Sequence, residues 1–277
     1  FAHGMVDPTA PVTLDFGYLP GFTGPLLERG FAFALSSFSE NGYAIKRGAQ
    51  ETHQLRGLFK SYFGKPRRSY LMGISMGGGV VVPLIEDYPN QYDGAFIMCG
   101  INGGTVHAMK HFFDFRVLFE YFYPGVLPGE VTSLPEGTTF FADLLPVAFQ
   151  ALSSPTQALE LFAVDQLELE IVDPVSELAP AMIGNLASYT FWALDFPDRD
   201  HGHDFYDNLD TVYTGSSDDG ALNAGVERLG PASRPAENYM KHYFQPTGKL
   251  AIPLITLHGQ RDPIVPLSHE AIYADRV

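Results

Sequence analysis

Residues 69–88 read SYLMGISMGGGVVVPLIEDY: a short apolar run, a glycine-rich turn, and a longer apolar run that stops before Pro89. The first run, Ser69 to Met72, has the length and bulky side chains of a buried strand, whereas the second, reaching Tyr88, is long enough for a helix. Pro83 lies deep in that helix, where it removes a backbone donor, so a bend is expected there. Between strand and helix stands Gly73-Ile74-Ser75-Met76-Gly77. Glycines two positions to either side of a serine let the backbone pass close to itself through a strained turn. The hydroxyl is then held at the carboxyl edge of a sheet, and the amino terminus of the next helix faces the oxyanion that would form there. Ser75 is the candidate nucleophile.

Working outward, Gly94 to Cys99 reads as another strand and Gly30 to Ser37 as a buried one. Ile45, Ala49, Thr52, Leu55 and Tyr62 recur at helical spacing up to Gly64-Lys65-Pro66. Strand and helix signals thus alternate through the first hundred residues, the pattern of a parallel sheet with crossover helices. The alternation ceases at about Gly103. Helix candidates follow at Thr105 to Tyr123, Asp143 to Leu152, Pro155 to Leu169, Val175 to Leu194 and Ala232 to Phe244, with an acidic loop over Asp195 to Asp219. Leu250 to Leu257 restores the sheet. The expected organisation is an α/β core over 1–102, a mostly helical cap insert over 103–249 that roofs the serine, and an incomplete second part of the core over 250–277. The chain starts Phe1-Ala2-His3-Gly4 and stops inside a helix-like stretch, so it reads as an internal portion of a longer protein, truncated at both ends.

Composition narrows the classes of partner. Seventeen Lys and Arg against 32 Asp and Glu give a net charge of -15, which disfavours nucleic acid and polybasic attachment to anionic lipid. No apolar run approaches the roughly 20 residues of a membrane span. The 22 Phe and 14 Tyr argue against disorder. A single cysteine, Cys99, makes no internal disulfide, and no Cys/His spacing of the structural zinc type occurs. The expected partner is a small molecule, with no cofactor; oligomeric state is not legible.

The serine turn resembles that of the α/β-hydrolase superfamily of serine hydrolases, and two further stretches match. Leu257-His258-Gly259-Gln260-Arg261-Asp262-Pro263 looks like the turn after the family's penultimate strand, which makes Asp262 the acid of a catalytic triad in the order nucleophile, acid, histidine. Its task would be to orient the histidine and stabilise the imidazolium. The plain alternative is an Asp-Pro turn in which Asp262 bonds only its own backbone. His3-Gly4 looks like the family's loop after its third strand, and the resemblance implies an oxyanion hole of the Met76 N–H with that of Met5 or Gly4. The triad histidine is expected beyond Val277, since His269, the one histidine after Asp262, reads as surface helix. Within the superfamily the chain looks similar to secreted bacterial esterases of the feruloyl-esterase and prolyl-oligopeptidase-like kind, which mildly favours a secreted or periplasmic location.

The other histidines carry no role. His53, His107, His111 and His242 fall in helix candidates as exposed or core-satisfied rings, and His258 packs near the site. The cluster Asp195, Asp198, Asp200, His201, His203, Asp204, Asp207 and Asp210 offers metal-ligand atoms but lacks the order of a calcium loop, so no metal is expected. The aromatic supply of the insert is read mostly as cap core with a minority lining an apolar acyl pocket, and Trp192 and Phe119 are the candidate substrate-binding residues, lining the pocket or packing the core. The resulting expectation is a serine carboxylic-ester hydrolase acting on esters with hydrophobic or aromatic acyl groups. The rivals are a serine peptidase on the same fold, with carboxylates gripping a free amino terminus, and a non-catalytic hydrolase-like protein.

Overall fold

The computed structural model describes all residues but 16 and 18; of residues 19, 20, 22, 243 and 244 only the backbone is described. The fold is α/β: a three-stranded parallel sheet with many helices. The chain divides into two compact units, one of residues 1–102, 246–258 and 272–277, the other of 103–245 and 259–271. The stretch 259–271, expected with the core, therefore belongs to the second unit.

In the first unit the strands are β1 (Tyr70–Ile74), β2 (Gly94–Met98) and β3 (Leu254–Leu257), in the order β1-β2-β3. Tyr70 pairs with Gly94 and Ala95 with Leu254. On the other side of β1, Ala2 makes a parallel bridge with Gly73, its N–H donating to Met72 O at 2.8 Å. The helices here are α1 (Leu19–Glu28), α2 (Ile45–Phe63) and α3 (Met76–Asp87). α3 is the buried one, with Val80, Val81, Val82, Leu84 and Ile85 in the core, and it runs through Pro83 as one helix. Gly30 to Ser37 corrects the expectation of a buried strand. Phe31 is 47% exposed and the segment joins no ladder; the N terminus of Phe1 bonds Ala34 O, while Ser36 Oγ accepts from Phe38 N–H at 3.1 Å. That local bond competes with strand pairing. Glu86 fastens the chain where it re-enters this unit, accepting from Thr247 N–H, Gly248 N–H and the Tyr273 hydroxyl.

The second unit is helical: α4 (Thr105–Phe122), a π turn over Phe140–Leu144, α5 (Leu145–Leu152), α6 (Pro155–Phe162), a 3-10 turn over Asp165–Leu167, α7 (Pro174–Arg199), α8 (Asp219–Gly225) and α9 (Arg234–Phe244). α10 (Ser268–Ala274) starts in this unit. α7 continues through Asp195 into Arg199, past the expected start of the acidic loop, and the Asp195–Arg199 ion pair sits one turn apart on it. Its core is aromatic. Trp192 packs 5.2 Å from Phe196 and 6.4 Å from Phe112, and Phe119 packs 4.8 Å from Tyr123. A buried polar knot ties α4 to the loop after α7. Asp114 accepts from the Tyr206 and Tyr213 hydroxyls and pairs with Lys110 at 3.2 Å. Burial pushes its carboxyl above the usual range, against the pull of Lys110. Among the described residues no helix is long and apolar enough to cross a membrane.

Candidate active site

Ser75 occupies the junction of β1 and α3 with φ of +54°. A side chain rarely tolerates that region, and such strain costs of order 1–3 kcal/mol unless its surroundings impose it. Here they do: Ser75 N–H donates to Met98 O at 3.0 Å, and its carbonyl accepts from Gly78 N–H at 2.9 Å and Ile101 N–H at 3.2 Å. The flanking glycines are required by contact. A Cβ on Gly73 would stand 2.4 Å from Gly77 O, and one on Gly77 would stand 2.2 Å from Ala2 O, distances no carbon can adopt against backbone. The spacing G-x-S-x-G is thus the signature of three backbones crossing.

Two of the expected oxyanion-hole residues lie beside the serine. Met76 begins α3, so its N–H is among the first four that a helix leaves without an internal partner. A Cβ built on Gly4 would come 3.4 Å from Ser75 Cβ and 3.8 Å from its Oγ, so the Gly4 backbone runs along the hydroxyl, and Met5 is the next residue. His3 holds this loop. It is buried, stacks on Phe38 at 4.0 Å, and its Nδ1 donates to Gly4 O at 2.7 Å. Burial lowers its pKa, which favours the neutral ring.

Asp262 belongs to the second unit, in the turn after β3. Its Oδ1 accepts from Ile264 N–H at 3.0 Å and Val265 N–H at 2.9 Å, so the plain Asp-Pro turn is present. Both of these bonds fall on one carboxylate oxygen. The turn is clamped from α7. Asn185, fully buried, donates to Pro263 O at 2.8 Å and to Ala181 O at 2.9 Å, and accepts from His111 Nε2 at 2.9 Å. A Cβ on neighbouring Gly184 would stand 2.6 Å from Ile264 Cγ1. Asn185 is a positioning residue that sequence reading missed: its partners lie 74 and 78 positions away.

The same contact fixes His111 as neutral with its proton on Nε2. Burial lowers its pKa from 6.5 to about 4, opposed by Asn185 and the charge of Asp262. A histidine with a depressed folded pKa takes up a proton on unfolding, so its stabilisation is complete above about 6.5 and is lost as pH falls toward about 4. Asn185→Ala strips the acceptor from His111 and the donor from Pro263. The expected loss is about 1–3 kcal/mol per unsatisfied group, read from the urea midpoint. A midpoint unchanged from the parent would show that the clamp does not hold the turn.

His269 corrects a second expectation: it is buried, not on a surface helix. Its Nδ1 accepts from Gly103 N–H at 3.0 Å, and its ring meets His107 edge-on at 4.6 Å. The short α10 turns it inward. His107 Nε2 lies 2.8 Å from Ser268 Oγ and 3.6 Å from Glu168 Oε1. Asp262 also lines a cavity of about 350 Å³ with Glu168, Glu170, Ile171, Glu177 and Arg261. Arg261 pairs with Glu177 at 3.0 Å. Trp192 and Phe119, offered as pocket residues, are 1% and 0% exposed and embedded among rings of their own unit. In the acidic run after Asp195, Asp207 accepts from Leu209 N–H and Ala232 N–H. Among the described residues, no three of its His and Asp side chains converge within ligating distance.

No family model matches the chain, and no curated protein does. Similar solved structures include a membrane phospholipase A described as a novel bacterial virulence factor, at 15% identity and a TM-score of 0.29, covering 83% of this chain and 52% of that one. Another is an esterase from Aspergillus oryzae, at 17% identity and a TM-score of 0.32, covering 83% of this chain and 50% of that one. The chain spans about half the length of these structures.

Proposed function

We propose that the chain is a serine hydrolase of carboxylic esters, built on an α/β-hydrolase core, with residues 103–249 as the insert that sets the choice of acyl group. The observation that carries this reading is Ser75 held at φ +54° between β1 and α3, with Gly4 alongside its hydroxyl. In the reaction, Ser75 Oγ attacks the ester carbonyl and its proton passes to a histidine. The developing oxyanion takes hydrogen bonds from Met76 N–H and from Met5 or Gly4 N–H, and the alcohol leaves with the proton. Water then releases the acid from the acyl-enzyme by the same steps. Asp262 orients the histidine, which this reading places beyond Val277; His269 has its Nδ1 committed to Gly103 N–H. Hydrophobic or aromatic acyl groups are the proposed substrates, the insert being rich in aromatic side chains.

One observation favours a second reading. The cavity beside Asp262 carries Glu168, Glu170 and Glu177, carboxylates of the kind that would grip a protonated amine. Parallel turnover of p-nitrophenyl esters and aminoacyl p-nitroanilides separates the two. Faster ester turnover, rising with acyl length, is expected; faster amide turnover would overturn the esterase reading.

A further inference from the structure

The net charge of -15 conceals a segment of opposite sign. Residues 45–68 hold seven of the 17 basic residues, Lys46, Arg47, Arg56, Lys60, Lys65, Arg67 and Arg68, and one of the 32 acidic ones, Glu51. Glu51 is engaged by the Ser36 hydroxyl at 3.3 Å. Four of the seven, from Lys60 onward, lie within nine residues at the end of α2 and in the loop leading to β1. None of Lys60, Lys65 and Arg67 pairs with a carboxylate among the described residues. Asp93, whose charge acts on Arg68, accepts from Ser69 N–H at 2.7 Å.

The same end of the helix is apolar and uncovered. The buried stripe of α2 consists of Ile45, Gly48 and Thr52, and no residue after Thr52 is buried. Beyond it Leu58 is 55% exposed, Tyr62 78% and Phe63 77%. Phe59 and Phe63 lie one turn apart with tilted rings, centroids 5.0 Å apart, and the Tyr62 and Phe63 ring centroids are 6.3 Å apart. A helix end that presents aromatic and aliphatic side chains inside a ring of lysine and arginine combines the two forces of interfacial binding. The apolar groups enter the boundary between headgroups and acyl chains, and the cations meet anionic headgroups.

We propose that the C-terminal half of α2 and the loop Gly64 to Arg68 dock on an anionic lipid surface. The proposal goes beyond the esterase reading and does not rest on it. Orientation follows from β1: the patch adjoins Tyr70 at its start and Ser75 follows its end, five residues at about 3.3 Å each away. Ser75 therefore follows the end of β1 opposite to the one that the patch adjoins. Charge complementarity and the exposed Leu58 favour lipid over nucleic acid, whose bases would use the rings alone.

The test is sedimentation of the purified protein with vesicles of phosphatidylcholine, alone or with one third phosphatidylglycerol, at low and high salt. Binding is expected to the anionic vesicles, weakened by salt. The triple variant Lys60→Gln, Lys65→Gln, Arg67→Gln should lower the partition coefficient on the order of 100-fold. Tyr62→Ala with Phe63→Ala should lower it at both salt concentrations. Both variants alter exposed side chains, and unchanged circular dichroism and thermal midpoint verify their folding. Equal binding to neutral vesicles, binding untouched by the triple variant, or retention on single-stranded poly(dT) without vesicle binding would each overturn the proposal.

Discussion

Ser75→Ala is expected to lower ester turnover by roughly 10⁴- to 10⁶-fold while the protein stays folded, leaving the modest catalysis that binding and oxyanion donors supply by themselves. The fold should survive because the serine's surroundings are held through backbone: its N–H bonds Met98 O and its carbonyl bonds Gly78 and Ile101. Alanine keeps those three bonds and inherits the same φ. The loss should therefore fall on kcat, with the thermal midpoint little changed. A fluorophosphonate should label Ser75 in the parent protein and nothing in the variant. Labelling at another serine, or ester turnover retained in the variant, would remove Ser75 from the mechanism.

Asp262→Asn should cost on the order of 10⁴ in kcat, by the loss of the carboxylate that selects the tautomer of the base. The substitution separates charge from architecture. The carbonyl oxygen of asparagine can still accept from Ile264 and Val265 N–H, and Asn185 still grips Pro263 O. The turn should keep its shape, and denaturant unfolding should stay close to that of the parent. If the variant turns over ester at the parent rate, another carboxylate serves the base, and Glu270 is the first to examine.

What the sequence disclosed was local. The strand, turn and helix around Ser75 could be read because each signal lies within a few residues of the next, and the glycine spacing encodes a steric need: a carbon added at Gly73 or Gly77 would stand 2.4 or 2.2 Å from backbone oxygen. The Asp-Pro turn was readable for the same reason. Gly30 to Ser37 misled because strand composition is only permission to pair, and the bond from Phe38 to Ser36 takes up backbone that a ladder would use. His269 misled because a seven-residue helix has too few turns for its buried face to show as periodicity. Asn185 and His111 were invisible as a pair: contacts from a buried amide to residues more than seventy positions away leave no trace along the chain. The basic end of α2 was hidden by summation, since an overall charge averages away a patch of opposite sign.

The division of the chain has a consequence for biosynthesis. The polypeptide passes between the two units four times, after residues 102, 245, 258 and 271. Neither unit is a continuous stretch that could be cut out and expressed by itself. During translation residues 1–102 leave the ribosome well before β3, which lies 156 positions after the end of β2 and pairs with it. The helical unit waits longer still, because its segment 259–271, which carries Asp262, follows β3 in the chain. The early segments must therefore remain unaggregated with apolar surface open while more than a hundred residues are added, the interval in which a chaperone would be most needed.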